Sequence, residues 1–274
     1  IDPQKIRKVN KYRTLTDCIE TEDFDTIHVC VHTNLHYEVT REALHAGKHV
    51  LLEKPFSLDL DECKELIHLA EEKDLILMVG HVLRFMPPYQ KLKSLIEDEA
   101  YGKLKFLSMT RFSGVPLWGE WVQKQSYFGS SGGALFDLLI HDIDFVHFLF
   151  GTPAQIKSKY LPGRLSEHDY ISAWWEYPEF MVKVEGGNIF HSNFPFQAGF
   201  MAEFEMASVL YSTIDPENIH VSNHDENKKI KLEEKDGFYS EINYFKECVV
   251  GNTKPEYCTP ESALESIRLC YQHL

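Results

Sequence analysis

Three short apolar runs alternate with two helix-length segments near the start of the chain. The apolar runs are residues 26–31, 50–52 and 75–79, and they are rich in Val, Ile and Leu. Continuous runs of this length are typical of parallel strands that are covered on both faces. Residues 35–46 have the length of a helix, and Asp59 opens a second helix before the third run. Strands that alternate with helices at this spacing predict a doubly wound parallel α/β sheet.

Residues with capping preferences mark where the predicted helices begin and end. Asn34 precedes the first helix and is its predicted N-cap, and Gly47 is predicted to end it. Asp59 and Glu62 have the three-residue spacing of a capping box. A further helix over residues 88–99 leads away from the parallel sheet. The first two predicted helices are therefore long enough to connect neighbouring parallel strands.

The chain changes character near residue 104. Alternating segments punctuated by Gly, Pro and Asn replace the strand–helix pattern there. This change predicts a C-terminal α+β domain with a predominantly antiparallel sheet, so the two predicted domains are residues 1–103 and 104–274. The predicted strands and the predicted exposed hairpin are residues 104–111, 171–175, 180–184, 203–210 and 218–234.

Charge and cysteine content exclude several functional classes. The 274 residues carry 42 acidic and 28 basic side chains, a formal net charge of −14. Nucleic-acid and anionic-membrane partners need clustered Lys and Arg, so neither is predicted. No apolar run approaches the ~20 residues that span a bilayer. The six cysteines have no C-x-x-C spacing, which argues against a zinc knuckle or redox pair and favours a reducing, cytoplasmic location.

The second apolar run is followed directly by Glu53-Lys54-Pro55. Open α/β sheets bind their ligands at the carboxyl ends of the strands, which is where this order places Lys54. Pro55 also restricts Lys54 to extended backbone geometry. A lysine fixed at that place can act on a ligand. The alternative is a surface Glu–Lys pair in a connecting loop.

A predicted buried helix over residues 133–150 carries ionisable groups. It is apolar nearly all round, yet it contains Asp137, His141 and Asp144. On an α-helix, Asp137 and His141 lie on one face, and Asp144 continues the row. Three interpretations stay open: a structural Asp–His pair, a metal site, and acid–base catalysis. Metal binding ranks last because no glutamate or third histidine occupies the next turn, so no metal site is predicted.

Aromatic residues are concentrated in a predicted loop over residues 114–129. Trp118 and Trp121 offer flat apolar walls for sugar rings, which makes them candidate substrate residues. A packed interface is the alternative for this loop.

Four segments together resemble the Gfo/Idh/MocA oxidoreductases, the family of glucose–fructose oxidoreductase and inositol dehydrogenase. The segments are H-T-N-L-H at 32–36, A-G-K-H-V-L-L-E-K-P at 46–55, G-H-V-L-R-F at 80–85, and G-G-A-L-F-D with H-D-I-D within 132–144. The resemblance covers nearly the whole chain. The Glu-Lys-Pro element and the later Gly-Gly…Asp…His helix form a specific pair in this order.

The resemblance implies a fold, a reaction and partners. It implies a Rossmann domain that binds a nicotinamide dinucleotide, followed by an α+β domain whose sheet forms a homodimer or homotetramer. The implied reaction transfers hydride between NAD or NADP and a sugar, polyol or related secondary alcohol. The sequence does not distinguish the two cofactors, and NAD is the first choice. The alternative is a non-redox or sensory relative that binds NAD(H) or a sugar without net turnover.

The resemblance also implies roles for single residues. His141 would take the hydroxyl proton, Lys54 would stabilise the developing alkoxide, and Asp137 would orient the base or contact the substrate. The Lys54–Pro55 bond is expected to be cis, as in much of the family. The implied cofactor-binding residues are Thr33, Asn34, His36, Glu53 and Lys54. The implied substrate residues, to which the aromatic loop adds Trp118 and Trp121, are Arg84, Asp137 and His141.

The chain departs from the family's pattern at three places. Leu139 replaces a usual glycine and is expected to crowd the approach to the cofactor or substrate. Val82 and Leu83 replace the usual Asn-Arg, which leaves only Arg84 on that side. No G-x-G-x-x-G string occurs, and Ile1 resembles the position just after the family's second strand. We therefore expect the first βαβ segment, roughly 35 residues, to be missing from this chain.

Overall fold

The computed structural model describes residues 9–115 and 131–274. The candidate substrate residues Trp118 and Trp121 lie outside the described residues, and their role stays a prediction.

A three-stranded parallel sheet forms the first part of the described chain. Its strands are β1 (Thr26–Val29), β2 (His49–Glu53) and β3 (Leu77–Gly80), and they lie in that order. Helix α2 (His36–His45) joins the first two strands, and helix α3 (Leu60–Glu72) joins the last two. All three strands run in parallel, which confirms the predicted α/β sheet. A short helix α1 precedes β1 and spans Leu15–Thr21.

The central strand is buried, as its apolar run predicted. Val50, Leu51 and Leu52 are at most 1% exposed. Burying one such side chain fully stabilises the fold by about 1.5–3 kcal/mol. The strand is therefore a rigid support for Lys54, which directly follows β2.

Two of the predicted helix ends are confirmed and one is wrong. Asp59 accepts hydrogen bonds from the backbone N–H groups of Asp61 and Glu62, so it is the N-cap of α3. Gly47 lies just past α2 with φ +72°, which suits glycine. Asn34 is not the N-cap of α2. It lies inside a 3₁₀ turn, Thr33–Leu35, which delays the start of the α-helix.

A 3₁₀ turn over Val82–Phe85 and helix α4 (Pro87–Glu97) lead to the second sheet. The eight strands of this sheet within the described residues are β4 (Leu104–Gly114), β5 (Gln155–Leu161), β6 (Tyr170–Glu176), β7 (Met181–Phe190), β8 (Gln197–Phe204), β9 (Ser208–Ser212), β10 (Asn218–Ser222) and β11 (Asn227–Lys231). They lie in the order β11-β10-β9-β8-β4-β7-β6-β5. Neighbours are antiparallel except for β4 and β7, which confirms the predicted predominantly antiparallel sheet.

The predicted strand over residues 203–210 is wrong, and the predicted hairpin over 218–234 is confirmed. The chain reverses between β8 and β9, where the N–H of Phe204 donates to the carbonyl of Ala207. An apolar pattern continues through this tight turn, which is why the sequence showed no break. Strands β10 and β11 pair antiparallel, as predicted.

Helices from the later part of the chain pack against strands of both sheets. A π-helix, Leu135–Leu139, runs directly into helix α5 (Ile140–Phe150), so the predicted single α-helix over 133–150 is wrong in its first turns. Helix α6 (Gly237–Gly251) packs against β2, and helix α7 (Pro260–Tyr271) packs against β3 and α5. One hydrophobic cluster includes residues of both sheets. The boundary at residues 103/104 stays a prediction.

Among the described residues, no helix has the length and apolar character needed to cross a membrane.

Candidate active site

Lys54 lies where β2 ends and reaches across to the π-helix. Its Nζ donates to the backbone carbonyl of Asp137 at 2.6 Å and to Oδ1 of Asp137 at 3.2 Å. The lysine side chain is 17% exposed, whereas that of Asp137 is 40% exposed. The Lys54–Pro55 bond is cis, as expected. The strand end, the proline and the ion pair together place the ammonium group at the edge of the parallel sheet.

The π-helix changes the relation between Asp137 and His141. Its backbone hydrogen bonds join residues that are five apart in the sequence, as when the N–H of Ile140 donates to the carbonyl of Leu135. The α-helical spacing that placed the two side chains on one face therefore does not apply to this turn. The described partner of the Asp137 carboxylate is Lys54 rather than His141. The structure thus favours Asp137 as the residue that holds the lysine.

His141 has the protonation state that a general base needs. Its ring is partly exposed, and its Nδ1 is buried without a hydrogen-bond partner among the described residues. Burial, followed by the positive charges of Lys54 and Arg111, holds the pKa of His141 well below its usual 6.5. The imidazole is therefore neutral near pH 7 and can accept a proton.

His36 does not face a ligand, which contradicts its predicted cofactor contact. The side chain is 1% exposed. Its Nδ1 lies 2.7 Å from the carbonyl oxygen of Pro55, and its Nε2 lies 3.1 Å from that of Val31. Burial lowers the pKa of His36, so the neutral ring donates one of these bonds. His36 therefore holds the turn after Lys54 against the end of β1.

The other predicted cofactor residues lie at the carboxyl edge of the parallel sheet. Thr33 is partly exposed and Asn34 is exposed, both in the turn that follows β1. Glu53 is the last residue of β2, and its Oε1 lies 3.3 Å from Nε2 of His28. Burial raises the pKa of Glu53, but His28, Lys54 and other neighbours lower it more, so the carboxyl group is ionised. The cofactor roles of these residues stay predictions.

Arg84 is wrongly predicted as a substrate residue. It is 2% exposed, and its Nε and Nη2 donate to the two carboxylate oxygens of Asp144 at 2.9 and 2.6 Å. It also donates to the carbonyl of Tyr257 at 2.9 Å and to the hydroxyl of Ser262 at 2.5 Å. No described donor of this guanidinium faces the edge of the sheet. Arg84 therefore ties the turn after β3 to α5 and α7.

Leu139 does not crowd the approach to the site, contrary to the expectation. It is fully buried, and its Cδ1 would lie 2.8 Å from a Cβ placed on Gly186 of β7. The glycine makes room for the leucine on the side of the second sheet. Val82 is also buried, at 6% exposed. Both side chains are therefore buried inside the protein and are not exposed to a ligand at the described edge.

The sequence did not identify three buried polar groups near the site. Arg111 of β4 donates from Nε to Oδ2 of Asp142 at 2.6 Å, and Asp142 is fully buried. Glu241 of α6 is 2% exposed, has an unpartnered Oε1 within the described chain, and has its pKa raised to about 8 by burial. His81 directly follows β3 and is also 2% exposed. Only His81 had a sequence signal, because it comes directly after β3 as Lys54 comes directly after β2.

Two family models match most of the chain. Residues 4–81 match the model described as an oxidoreductase family with an NAD-binding Rossmann fold, and residues 89–211 match the GFO/IDH/MocA C-terminal domain. The chain belongs to the GFO/IDH/MocA oxidoreductase family. This confirms the resemblance found in the sequence, and the Rossmann part agrees with the parallel sheet.

Several relatives of this GFO/IDH/MocA chain are similar over their matched parts. It is 32% identical to myo-inositol 2-dehydrogenase of Thermotoga maritima over 56% of this chain and 44% of that protein. It is 30% identical to an NADP⁺-dependent scyllo-inositol 2-dehydrogenase of Bacillus subtilis over 60% and 46%. The matched part spans less than half the length of these curated relatives.

The fold of this GFO/IDH/MocA chain is also similar to solved structures. The structure of UDP-N-acetylglucosamine 3-dehydrogenase from Acidithiobacillus ferrooxidans superposes with a TM-score of 0.79 at 20% identity. The superposition covers 96% of this chain and 81% of that one. A likeness at this identity supports the shared fold.

The chemistry at the sheet edge fits the nicotinamide end of a dinucleotide. The Glu53 carboxylate can accept hydrogen bonds from ribose hydroxyls, and Thr33 and Asn34 offer polar groups to a carboxamide. All three lie at or just after strand ends, where open α/β sheets bind ligands. The described residues supply no glycine-rich phosphate turn, so the fit concerns this end of the cofactor alone.

Proposed function

We propose that this protein is an NAD(P)-dependent oxidoreductase that oxidises a secondary alcohol of a sugar or polyol, or reduces the corresponding ketone. One observation carries the proposal: the ammonium group of Lys54 is fixed against Asp137 at a strand end, in the same site as the neutral base His141. Family membership and the names of the relatives support the same reaction class.

His141, Lys54 and Asp137 have different roles in the oxidation of the alcohol. His141 accepts the hydroxyl proton at its Nε2, because the neutral ring has a lone pair available there. Lys54 stabilises the negative charge that develops on the oxygen. Asp137 holds Lys54 through its carboxylate and its carbonyl, so that the ammonium group is in place before the reaction. The nicotinamide ring, when bound, supplies the hydride acceptor. Thr33, Asn34 and Glu53 would hold this end of the cofactor.

The relatives suggest which alcohols to test. Their names specify myo-inositol, scyllo-inositol and UDP-N-acetylglucosamine, all of which are ring alcohols with several hydroxyl groups. We propose a substrate of this class. Both cofactors are to be tested, because the relatives include NAD⁺ and NADP⁺ enzymes, and NAD is tested first.

The test incubates the protein, expressed from its complete reading frame, with each of these three alcohols and either NAD or NADP, and follows the absorbance of the reduced cofactor. We expect turnover with one cofactor and at least one ring alcohol. Saturable binding of a cofactor without net reduction would instead support the non-redox or sensory alternative. Binding of neither cofactor would overturn the proposal.

The pH dependence of the reaction should follow the low pKa of His141. Because the folded protein keeps this base neutral, kcat/KM should stay nearly constant as the pH falls from 8 through the ordinary histidine pKa of about 6.5, and should decline only at a lower pH. An unperturbed histidine would lose half of its activity near pH 6.5. A three-buffer pH profile measures the midpoint. Lys54→Met should raise it, because Lys54 is one cause of the low pKa. A midpoint at 6.5 in the unsubstituted protein would contradict the assignment of His141.

We also propose that the outer face of the eight-stranded sheet forms the homo-oligomer contact. Met201 and Leu210 are neighbours across β8 and β9, and they are 49% and 46% exposed. Trp174 and Met181 are 40% and 46% exposed on β6 and β7. The adjacent residues Ala202 and Val209 are fully buried on the inner face, so the two faces alternate along the strands. Apolar side chains repeated on an open sheet face are typical of an interface.

A glutamate in the centre of this face should dissociate the oligomer. We expect Met201→Glu to sediment as a monomer under conditions in which the unsubstituted protein sediments as a dimer or tetramer, because the charge would be buried without a partner. Met206→Glu is the matched control, since Met206 is 58% exposed in the turn between β8 and β9. An unchanged mass for Met201→Glu, or a monomeric unsubstituted protein, would contradict the proposal.

A cytoplasmic location also remains a proposal. All six cysteines lie in the described ranges and are free thiols, which suits a reducing compartment.

A further inference from the structure

His81 is buried beside the site and lacks the hydrogen bonds that a buried imidazole normally makes. It follows β3, and its ring is 2% exposed. Neither ring nitrogen has a hydrogen-bond partner within the described ranges, although Nδ1 lies 3.3 Å from Oδ1 of Asp144. A buried polar group without a partner destabilises the fold, so two on one ring call for an explanation.

Asp144 is a fixed anchor on one side of His81. Its two oxygens accept from Arg84 at 2.6 and 2.9 Å, and Oδ1 also accepts from the hydroxyl of Ser266 at 2.8 Å. Burial raises the pKa of Asp144, but Arg84 and His81 lower it more, so the buried group is an anion. Three donors from two other elements keep this carboxylate in place beside Nδ1 of His81.

His141 needs a hydrogen-bond acceptor on its inner side. A base that takes the substrate proton at Nε2 must carry its own hydrogen on Nδ1. That Nδ1 is buried and has no partner among the residues that the structure describes. His141 and Asp144 lie three residues apart on α5, and so about one helical turn from each other, while Nδ1 of His81 lies 3.3 Å from Oδ1 of Asp144. The unpartnered nitrogens of the two rings therefore lie in the same buried region.

We propose that His81 is a positioning residue that links the Nδ1–H of His141 to the carboxylate of Asp144. In this arrangement, Nδ1–H of His81 donates to Asp144, and Nε2 of His81 accepts from Nδ1–H of His141. One tautomer of each ring then satisfies all three unpartnered nitrogens. His141 presents its Nε2 lone pair to the substrate. The inference rests on the proposed function for the role of His141 as a base, whereas the proposed link between the two rings can be tested independently of it.

The charges around His81 favour the neutral ring that this arrangement requires. Burial is the largest influence and lowers the pKa of His81 to about 4. Asp144 acts from α5 in the opposite direction, while Arg84 from the adjacent turn and Lys54 from the end of β2 lower it further. Glu53, also at the end of β2, raises it slightly. His81 is therefore neutral near pH 7, with one hydrogen to donate and one lone pair to accept.

The first test reads the tautomers directly and needs no activity. Histidine labelled with ¹⁵N in the unsubstituted protein should show His141 as the Nδ1–H tautomer, with a hydrogen-bonded Nδ1 proton protected from exchange. His141→Gln assigns the signal. In His81→Phe, which keeps a ring but removes both nitrogens, the His141 signal should shift and its Nδ1 proton should exchange faster. Unchanged His141 signals in a folded His81→Phe protein would overturn the proposal.

The second test measures the consequence for turnover. We expect His81→Phe to lower kcat by about a hundredfold with little change in KM, because a misplaced base loses this much. His81→Gln should recover most of the loss, since its amide can accept from His141 and donate to Asp144. His68→Phe is the control, because His68 lies on α3 and its side chain is 71% exposed. Equal kcat values for His81→Phe and the unsubstituted protein would overturn the inference.

The two tests separate this inference from the proposed function. If no alcohol is oxidised, the proposed function fails, and the His141 spectra still decide whether the rings are linked. If His81→Phe does not fold, the tautomer of His141 in the unsubstituted protein and the spectra of His81→Gln decide whether the two rings are linked. An Nε2–H tautomer of His141 in the unsubstituted protein would then overturn the link.

Discussion

Replacement of Lys54 by methionine should lower the turnover number by about a hundredfold or more and leave the affinity for the cofactor nearly unchanged. Methionine keeps the length and apolar character of the stem but removes the charge that would stabilise the developing alkoxide. Losing a preorganised group of this kind costs about 10²–10³ in kcat. Steady-state kinetics with the best substrate give kcat, and a fluorescence titration with NADH or NADPH gives the cofactor affinity.

Lys48→Met is the matched control for this experiment. Lys48 precedes the same strand at its opposite end and, like Lys54, donates from Nζ to a backbone carbonyl, that of Phe24 at 2.6 Å. We expect the control to keep its turnover, because it lies at the amino end of β2, away from the proposed site. Undiminished turnover in Lys54→Met would remove Lys54 from the mechanism. A large loss of cofactor affinity alone would make it a binding residue.

Replacement of Arg84 by methionine should destabilise the fold by about 3–5 kcal/mol, because it leaves the buried Asp144 carboxylate without its main partner. This is a large part of the roughly 5–15 kcal/mol that holds a typical domain folded. Urea unfolding followed by circular dichroism measures the loss. Arg84→Met combined with Asp144→Leu should recover part of it, since the double variant no longer buries an unpaired charge.

An exposed ion pair provides the comparison for Arg84. Arg41 and Glu65 are 47% and 50% exposed, so Arg41→Met should cost less than about 1 kcal/mol. If Arg84→Met kept its stability and instead raised KM, the substrate role predicted from the sequence would be correct, and the structural role given by the ion pair would be wrong.

The sequence predicted those parts of the candidate site that depend on position along the chain. An apolar run followed by Glu53-Lys54-Pro55 places the lysine at a strand end, because the apolar residues favour burial within the sheet and the charged pair and proline favour its end. The cap at Asp59 follows from local hydrogen bonding within one turn. These features need no knowledge of distant residues, and the structure confirms them.

For the charged residues, the sequence could not predict where each side chain points or which residue it pairs with. His36 and Arg84 lie in the segments that carry the family resemblance, yet both side chains turn into the protein. A motif fixes where a residue lies in the chain, but the partner that satisfies it comes from elsewhere. The partner of Arg84 is Asp144, sixty residues later. The expectation for Leu139 was also wrong, because Gly186, which makes room for this π-helix residue, lies much later in the chain, in β7 of the second sheet.

The sequence by itself determined the two kinds of sheet, the order of strands and helices in the parallel sheet, the lysine at the strand end and the family. Each of these follows from local periodicity, capping or a contiguous motif. Only the tertiary structure decided that Asp137 holds Lys54, that Asp144 pairs with Arg84, and that His81 lies between an anion and the site. The physical reason is that a buried charge is stable only beside a partner, and that partner is brought in by long-range packing.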